Sequence, residues 1–263
     1  MPELPEVEYA TRIARDACVG KVLASVRALH ASPRRTLPDA VAETLAGDRI
    51  VEVTRRGKHQ LLRLATGRTL HVHFRMTGDW RVTRSASIPA RFARVVFDFT
   101  DGTRLALDDS RALAVVALHP PGIDPLPDLG PEATAESFDA AWLVQHFTGR
   151  RTPIKPALLD QRLVAGIGNI YASEALWYAK IDPTCRVDGL TKTSLAAVAA
   201  GVKRALRKAL DRAERYYGAD GASTTGRFNV YDREGGGCRR CGVAIVRITQ
   251  AARSTYFCPT CQA

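Results

Sequence analysis

Met1-Pro2-Glu3-Leu4-Pro5-Glu6-Val7-Glu8 opens the chain. Two prolines and three carboxylates crowd an end that is too acidic and too proline-broken for a signal peptide. Once Met1 is removed, Pro2 is terminal and its nitrogen is a secondary amine. An α-amino group titrates near pH ~8, so roughly a tenth is free base at neutral pH. Such an amine is a nucleophile toward carbonyl-like carbon, with Glu3 and Glu6 beside it as proton carriers. A Pro/Glu-rich helix start explains the same residues, because Pro suits a first turn and acids suit the positive end of the helix dipole. The choice between the two rests on the remainder of the chain.

The length of 263 residues suggests about two domains. Hydrophobic content of 46% and charged content of 25% are those of a soluble globular protein. No apolar run approaches the ~18 residues of a membrane span, and nothing directs export, so no membrane partner and a cytoplasmic location are expected. The net charge of +11 calls for a polyanionic partner, nucleic acid first. Residues 191–263 hold 13 Lys and Arg against 5 Asp and Glu, which makes this third the electrostatic anchor. Of six cysteines, four lie in one pattern near the C-terminus; Cys18 and Cys185 read as buried apolar residues of a reducing compartment.

Residues 5–19 read as a helix with Val7, Ala10, Ile13, Ala14 and Ala17 on one face. Short β-type runs follow: 22–29, 50–54, 61–64, 70–74, 80–83, 95–99, 105–107 and 113–118, with a short helix at 39–45. Asp101-Gly102 marks the clearest hairpin. Many short strands at this spacing predict a β-sandwich over 1–118. The segment 119–131 holds five prolines and reads as a linker. Helices are predicted at 136–147, 156–162, 170–179 and 194–215, followed by a Gly/Ser/Thr-rich loop at 218–226. The helical domain is set at 132–225 and a cysteine-bearing unit at 226–263.

The strongest local signal is Cys238-x2-Cys241-x16-Cys258-x2-Cys261. Two CxxC pairs so spaced match a four-cysteine zinc site, and four ligands leave no open position, so one structural Zn2+ is expected. Arg253 falls at the turn of an intervening hairpin (243–248 and 254–257), where a phosphate contact and a solvated surface residue look alike. Gly166-Ile-Gly-Asn169-Ile-Tyr171-Ala-Ser-Glu174 reads as a tight turn opening a helix, with Asn169 as its cap. A helix N-terminus can hold a phosphate, and Lys155 lies upstream. Arg55-Arg-Gly-Lys58-His59 puts a lysine at a strand turn, as either a phosphate contact or an ordinary hairpin. Met76, Arg111 and Leu113 could fill the hole left by an extruded base, though by residue type Met76 and Leu113 read as core.

Taken together, the N-terminal octet, Arg56-Gly-Lys58, His73-Phe-Arg-Met-Thr-Gly78, Gly166–Glu174 and the four-cysteine finger occur in an order that closely resembles the bacterial formamidopyrimidine-DNA glycosylase family, relatives of endonuclease VIII. The resemblance runs end to end. It implies an α+β multidomain protein: an N-terminal β-sandwich flanked by helices, then a helical domain with a helix–two-turn–helix, and a four-cysteine zinc finger. It also implies a monomer that binds double-stranded DNA carrying damaged bases or abasic sites. By the same resemblance Pro2 is the nucleophile, Glu3 the general acid/base, Glu6 its support and Lys58 a phosphate contact. Asn169 and Arg253, with Lys155 and Tyr171, would grip the backbone, and Met76, Arg111 and Leu113 would occupy the vacated stack. The opening octet then becomes an active site, provided that Met1 has gone.

Two departures stand out. The family's Asp-Pro-Arg-Arg-Phe-Gly stretch is here Asp109-Ser-Arg-Ala-Leu-Ala114, so an apolar wedge remains but base stacking is lost. The loop at 216–231 is short, which puts excision of 8-oxoguanine in doubt relative to ring-opened purines or oxidised pyrimidines. An endonuclease VIII-like enzyme for oxidised pyrimidines and a non-enzymatic nucleic-acid-binding protein are the alternatives.

Overall fold

The computed structural model describes residues 1–212 and 227–262, in two compact units, Met1–Pro127 and Asp128–Ala263. The expected loop at 218–226 and the far end of the basic helix lie outside the described residues.

The first unit begins with α1 (Leu4–Cys18) and β1 (Leu23–Ala28), then the short helices α2 (Ala31–Arg34) and α3 (Asp39–Glu43). Seven strands follow: β2 (Ile50–Arg56), β3 (His59–Leu64), β4 (Thr69–His73), β5 (Gly78–Arg84), β6 (Ala93–Phe99), β7 (Thr103–Asp109) and β8 (Val115–His119). They form two antiparallel four-stranded sheets, ordered β1-β6-β7-β5 and β2-β3-β4-β8. Alternation explains the sandwich. Leu62, Leu64, Leu70 and Val72 from one sheet and Val95, Phe97, Leu105 and Leu107 from the other enter one buried core. Val7, Ala10, Ala14, Ala17 and Cys18 bring α1 into the same core, as their helical spacing predicts.

The second unit holds α4 (Ala140–Phe147), α5 (Ile154–Leu158), α6 (Asn169–Ala179), α7 (Lys192–Leu210) and the hairpin β9 (Val246–Gln250) with β10 (Arg253–Phe257). Two expected helices are shorter or shifted. Helix α4 starts at Ala140 because the Asp139 carboxylate accepts the Trp142 N–H at 2.8 Å and caps it there. Helix α5 ends at Leu158, and Asp160 then turns the chain by accepting the Arg162 N–H at 3.0 Å. Gly201 of α7 is where α6 comes closest: a Cβ there would lie 2.4 Å from the Ala175 carbonyl oxygen. Trp177 of α6 shares a cluster with Val230, Cys238, Ile245, Tyr256 and Cys258, so the finger packs onto this helix. Cys18 is buried as expected, but Cys185 is only half-buried, because it sits in the turn after α6 rather than on a packed face.

One carboxyl in the sandwich is out of its usual range. Burial, and then Asp108 facing it across the β5–β7 pair, push Asp79 up to about 6 against the Trp80 N–H and Arg81. An acid whose folded value exceeds its unfolded one keeps its proton in the folded state, so stability falls as pH rises between about 4 and 6. Asp79→Asn is expected to raise the thermal midpoint at pH 7 and to leave it unchanged at pH 4, measured by calorimetry at both values.

Candidate active site

Helix α1 begins with a reciprocal cap. The Glu3 carboxylate accepts the Glu6 backbone N–H, and Glu6 Oε2 accepts the Glu3 N–H at 2.8 Å. Each carboxylate thereby fixes the extended residue Glu3 and the direction in which half-buried Pro2 leaves the helix. The cap that starts the helix also orients its first residues. While Met1 is attached, the Pro2 nitrogen is an amide and cannot attack.

Lys58 lies on the two-residue turn between β2 and β3, where Gly57 takes φ 58°, a conformation that costs glycine nothing. Lys58 is 6% exposed, unlike a solvated hairpin lysine. The turn is tied to α1: Arg55 Nε donates to Glu8 Oε2 at 2.9 Å, and Arg55 Nη1 donates to the Gly57 carbonyl at 2.9 Å. Burial raises the Glu8 carboxyl, but the hydrogen bonds and charges of Arg55 and Arg12 prevail and hold it below the ordinary range.

Met76 and Leu113 are not core residues. They are 37% and 43% exposed, on the β4–β5 and β7–β8 connections. Asp109 holds both loops. One carboxylate oxygen accepts the Thr77 hydroxyl and, at 3.1 Å, the Arg111 N–H; the other accepts the Leu113 and Ala114 N–H groups at 2.6 and 2.7 Å. Burial raises this carboxyl, yet these four bonds outweigh it and the net shift is downward. Sequence reasoning quoted Asp109 without a role. Its partners lie 2 to 5 residues ahead and 32 residues back, and only the first set had a local signal.

In the second unit Asn169 is the first residue of α6, and Gly168 is its cap. The expected Asn cap does not form because the Asn169 side chain is engaged elsewhere: Nδ2 donates to the Ser254 carbonyl at 2.9 Å, and Oδ1 accepts from Lys155 Nζ at 2.6 Å. Lys155 is 1% exposed and also donates to the Ser254 carbonyl and Thr255 Oγ1 at 3.1 and 2.7 Å. An ammonium has three donors. Lys155 thereby positions Asn169 and the start of β10. Tyr171 is likewise buried, in the first turn of α6, and lines a cavity with Glu174, Tyr178, Lys208, Asn229 and Arg239. Arg253 is exposed at the start of β10, just after Ala251 and Ala252, which both take positive φ. Glu174 was also missed: its carboxylate accepts the N–H groups of Asn229, Val230 and Tyr231 and anchors the chain entering the finger.

The four cysteine sulfurs lie within 4.8 Å of one another. Cys241 and Cys258 are 3.5 Å apart, and Cys238 and Cys261 4.0 Å. A tetrahedral zinc with bonds of about 2.3 Å sets sulfur–sulfur distances near 3.8 Å, so the residues fit one ion without rearrangement. Trp177 Nε1 points at Cys238 Sγ from 3.5 Å, and Arg240 stacks on Trp177 at 3.7 Å.

The first unit is a β-sandwich opened by the capped helix α1, and the second joins helices to a four-cysteine finger. The family descriptions agree: "Formamidopyrimidine-DNA glycosylase N-terminal domain" matches residues 1–116, its H2TH domain 129–218, and the zinc finger found in FPG and IleRS 238–263. The chain belongs to the formamidopyrimidine-DNA glycosylase family. It is 41% identical to the Chloroflexus aggregans formamidopyrimidine-DNA glycosylase, over 100% of this chain and 98% of that one. The Paracoccus denitrificans enzyme is 38% identical over the full length of both. The crystal structure of the Lactococcus lactis enzyme, non-covalently bound to DNA with an AP site, superposes with a TM-score of 0.89 at 31% identity, covering 99% of each chain.

Two outcomes test this geometry. Asp109→Ala strands several backbone N–H groups and is expected to cost about 2–3 kcal/mol in denaturant unfolding. Stripping the metal with a chelator is expected to change the tryptophan emission, and Trp177→Phe to abolish most of that change.

Proposed function

We propose that the protein is a bifunctional DNA glycosylase and AP lyase of base excision repair, acting on oxidised or ring-opened purines and on abasic sites in double-stranded DNA. The observation that carries this reading is the Pro2-Glu3 end held by the Glu3/Glu6 cap, with α1 tied to the Lys58 turn through Arg55 and Glu8. The Lactococcus lactis relative, solved with DNA containing Fapy-dG and with DNA containing an abasic site, supports this substrate class. No helix of the described residues is long and apolar enough to cross a membrane. The enzyme works as a cytoplasmic monomer, associated with the nucleoid when acting.

The chemistry follows from a secondary amine. The Pro2 nitrogen forms a bond to C1′ as the bond from C1′ to the base breaks, and the base leaves with that electron pair. Glu3 moves the proton that opens the sugar ring, breaking the C1′–O4′ bond. The product is an iminium, because a nitrogen with three carbon substituents cannot shed charge as a neutral imine. This cation draws electrons from C2′, so the C2′–H proton is lost and the bond to the 3′-phosphate breaks; a second elimination expels the 5′-phosphate. Water then releases the amine. Lys58 holds the phosphate beside the lesion, Asn169 and Arg253 grip the backbone, and Met76, Arg111 and Leu113 fill the vacated stack.

Borohydride trapping on a duplex with an abasic site tests the reading. A covalent adduct is expected with the processed protein and none when an N-terminal extension keeps Pro2 in a peptide bond. Glu3→Gln should lower base excision ~10²–10⁴-fold. Absence of any adduct would leave a binding protein. An enzyme that removes oxidised pyrimidines faster than ring-opened purines would be the endonuclease VIII-like alternative.

A further inference from the structure

Four of the six histidines stand on one face of the β2-β3-β4-β8 sheet. His59 is paired with His73 across β3 and β4, His71 lies two residues along β4, and His119 comes from β8 opposite Thr69. All four are half-buried. His59 Nδ1 and His71 Nε2 are 2.7 Å apart, so one donates to the other, and their rings stack with centroids 5.0 Å apart. The His119 ring is 6.0 Å from that of His71, and its Nε2 is buried without a hydrogen-bond partner. His73 stands edge-on to His59, and its Nδ1 accepts the Arg75 N–H at 3.0 Å. The glycosylase chemistry above uses none of His59, His71 and His119.

We propose that His59 and His71, with His119 as third donor, form a second metal site, one that takes a nitrogen-preferring divalent transition ion such as Ni2+, Cu2+ or Zn2+. The two facing nitrogens already share one proton, and an ion would take its place. With metal–nitrogen bonds of about 2.0–2.1 Å, tetrahedral ligands sit about 3.3 Å apart, so the pair needs to open by only about 0.6 Å. The partnerless nitrogen of His119 supplies a donor that the sheet otherwise leaves unsatisfied. Among the described residues the finger cysteines are the one group of three or more ligand atoms already gathered within 4.8 Å. The histidine row has two atoms in place and a third ring adjacent.

The neighbouring charges choose the ion. Arg56, Lys58 and Arg75 flank the row and repel any cation. Hard ions such as Mg2+, which depend on charged oxygen ligands, gain nothing here, whereas imidazole coordination suits Ni2+, Cu2+ and Zn2+. The proposal does not rest on the DNA chemistry, so neither reading falls with the other.

The test is metal counting on the zinc-loaded protein dialysed against Ni2+ or Mg2+. One Ni2+ per chain is expected beside one Zn2+, with no Mg2+. The double variant His59→Gln/His71→Gln should lose the Ni2+ and keep the Zn2+. Because that variant can disturb the sheet, a second measurement uses the unaltered protein. Sub-stoichiometric Ni2+ should broaden the imidazole NMR signals of His59, His71 and His119 before those of His30 and His146. No nickel beyond the zinc, nickel that displaces zinc from the finger, or equal broadening at all six histidines overturns the proposal.

Discussion

The ion pair between Glu8 and Arg55 is the constraint on which the proposed chemistry of the first unit depends. Helix α1 carries the amine and its acid at one end; the β2–β3 turn carries the lysine. A side chain between the two elements holds them at one spacing. Arg55 does so with two prongs, one to the Glu8 carboxylate and one to the Gly57 carbonyl inside the turn. A second tie, Arg15 Nε to the Val53 carbonyl at 3.0 Å, lies two helical turns further along α1 and reaches the same strand. With two ties at different heights, α1 can neither slide along β2 nor swing away from it. Exposed ion pairs contribute little, but this one is largely covered, at 12% and 20% exposure for its two side chains. Its worth lies in fixing geometry, because catalytic groups need placement to within about 0.5 Å.

The second unit solves the same problem with a buried cation. An unsatisfied ammonium inside a protein is costly, so Lys155 settles where its donors are taken by Asn169, Ser254 and Thr255. Those partners belong to the start of α6 and to β10. One side chain thus sets both the N-terminus of α6 and the strand that begins at Arg253. The finger adds rigidity from the other side, since its cysteines bracket the hairpin and Trp177 joins it to α6. The two groups proposed to hold phosphate, Asn169 and Arg253, therefore share one scaffold.

Much of the fold was legible because its signals are local. Alternating apolar residues located all eight strands of the sandwich to within a few residues, and Asp101-Gly102 marked a true hairpin. The cysteine spacing located the finger. What stayed hidden depends on distant partners. Asn169 looked like a cap until Ser254, 85 residues away, captured its side chain. The burial of Lys155 is invisible in composition. Met76 and Leu113 looked like core, since residue type cannot show that a carboxylate holds their loops outward. In each case the residue was legible as important and its role was set by the tertiary partner.

That distinction bears on the altered wedge. Asp109 holds the 110–114 loop through backbone N–H groups, so the loop's path does not depend on which side chains it carries. Ala112 even accepts a φ of 52°, a left-handed conformation that costs a non-glycine residue about 1 kcal/mol or more, without losing the bonds on either side of it. Replacing an aromatic tip by Leu113 then changes what the wedge touches and leaves its position alone. On the proposed reading a branched aliphatic tip still keeps the strands apart, but it offers the opposite base no π-face on which to stack. Beside it the Arg111 backbone is fixed by Thr77 and Asp109 while its side chain stays exposed.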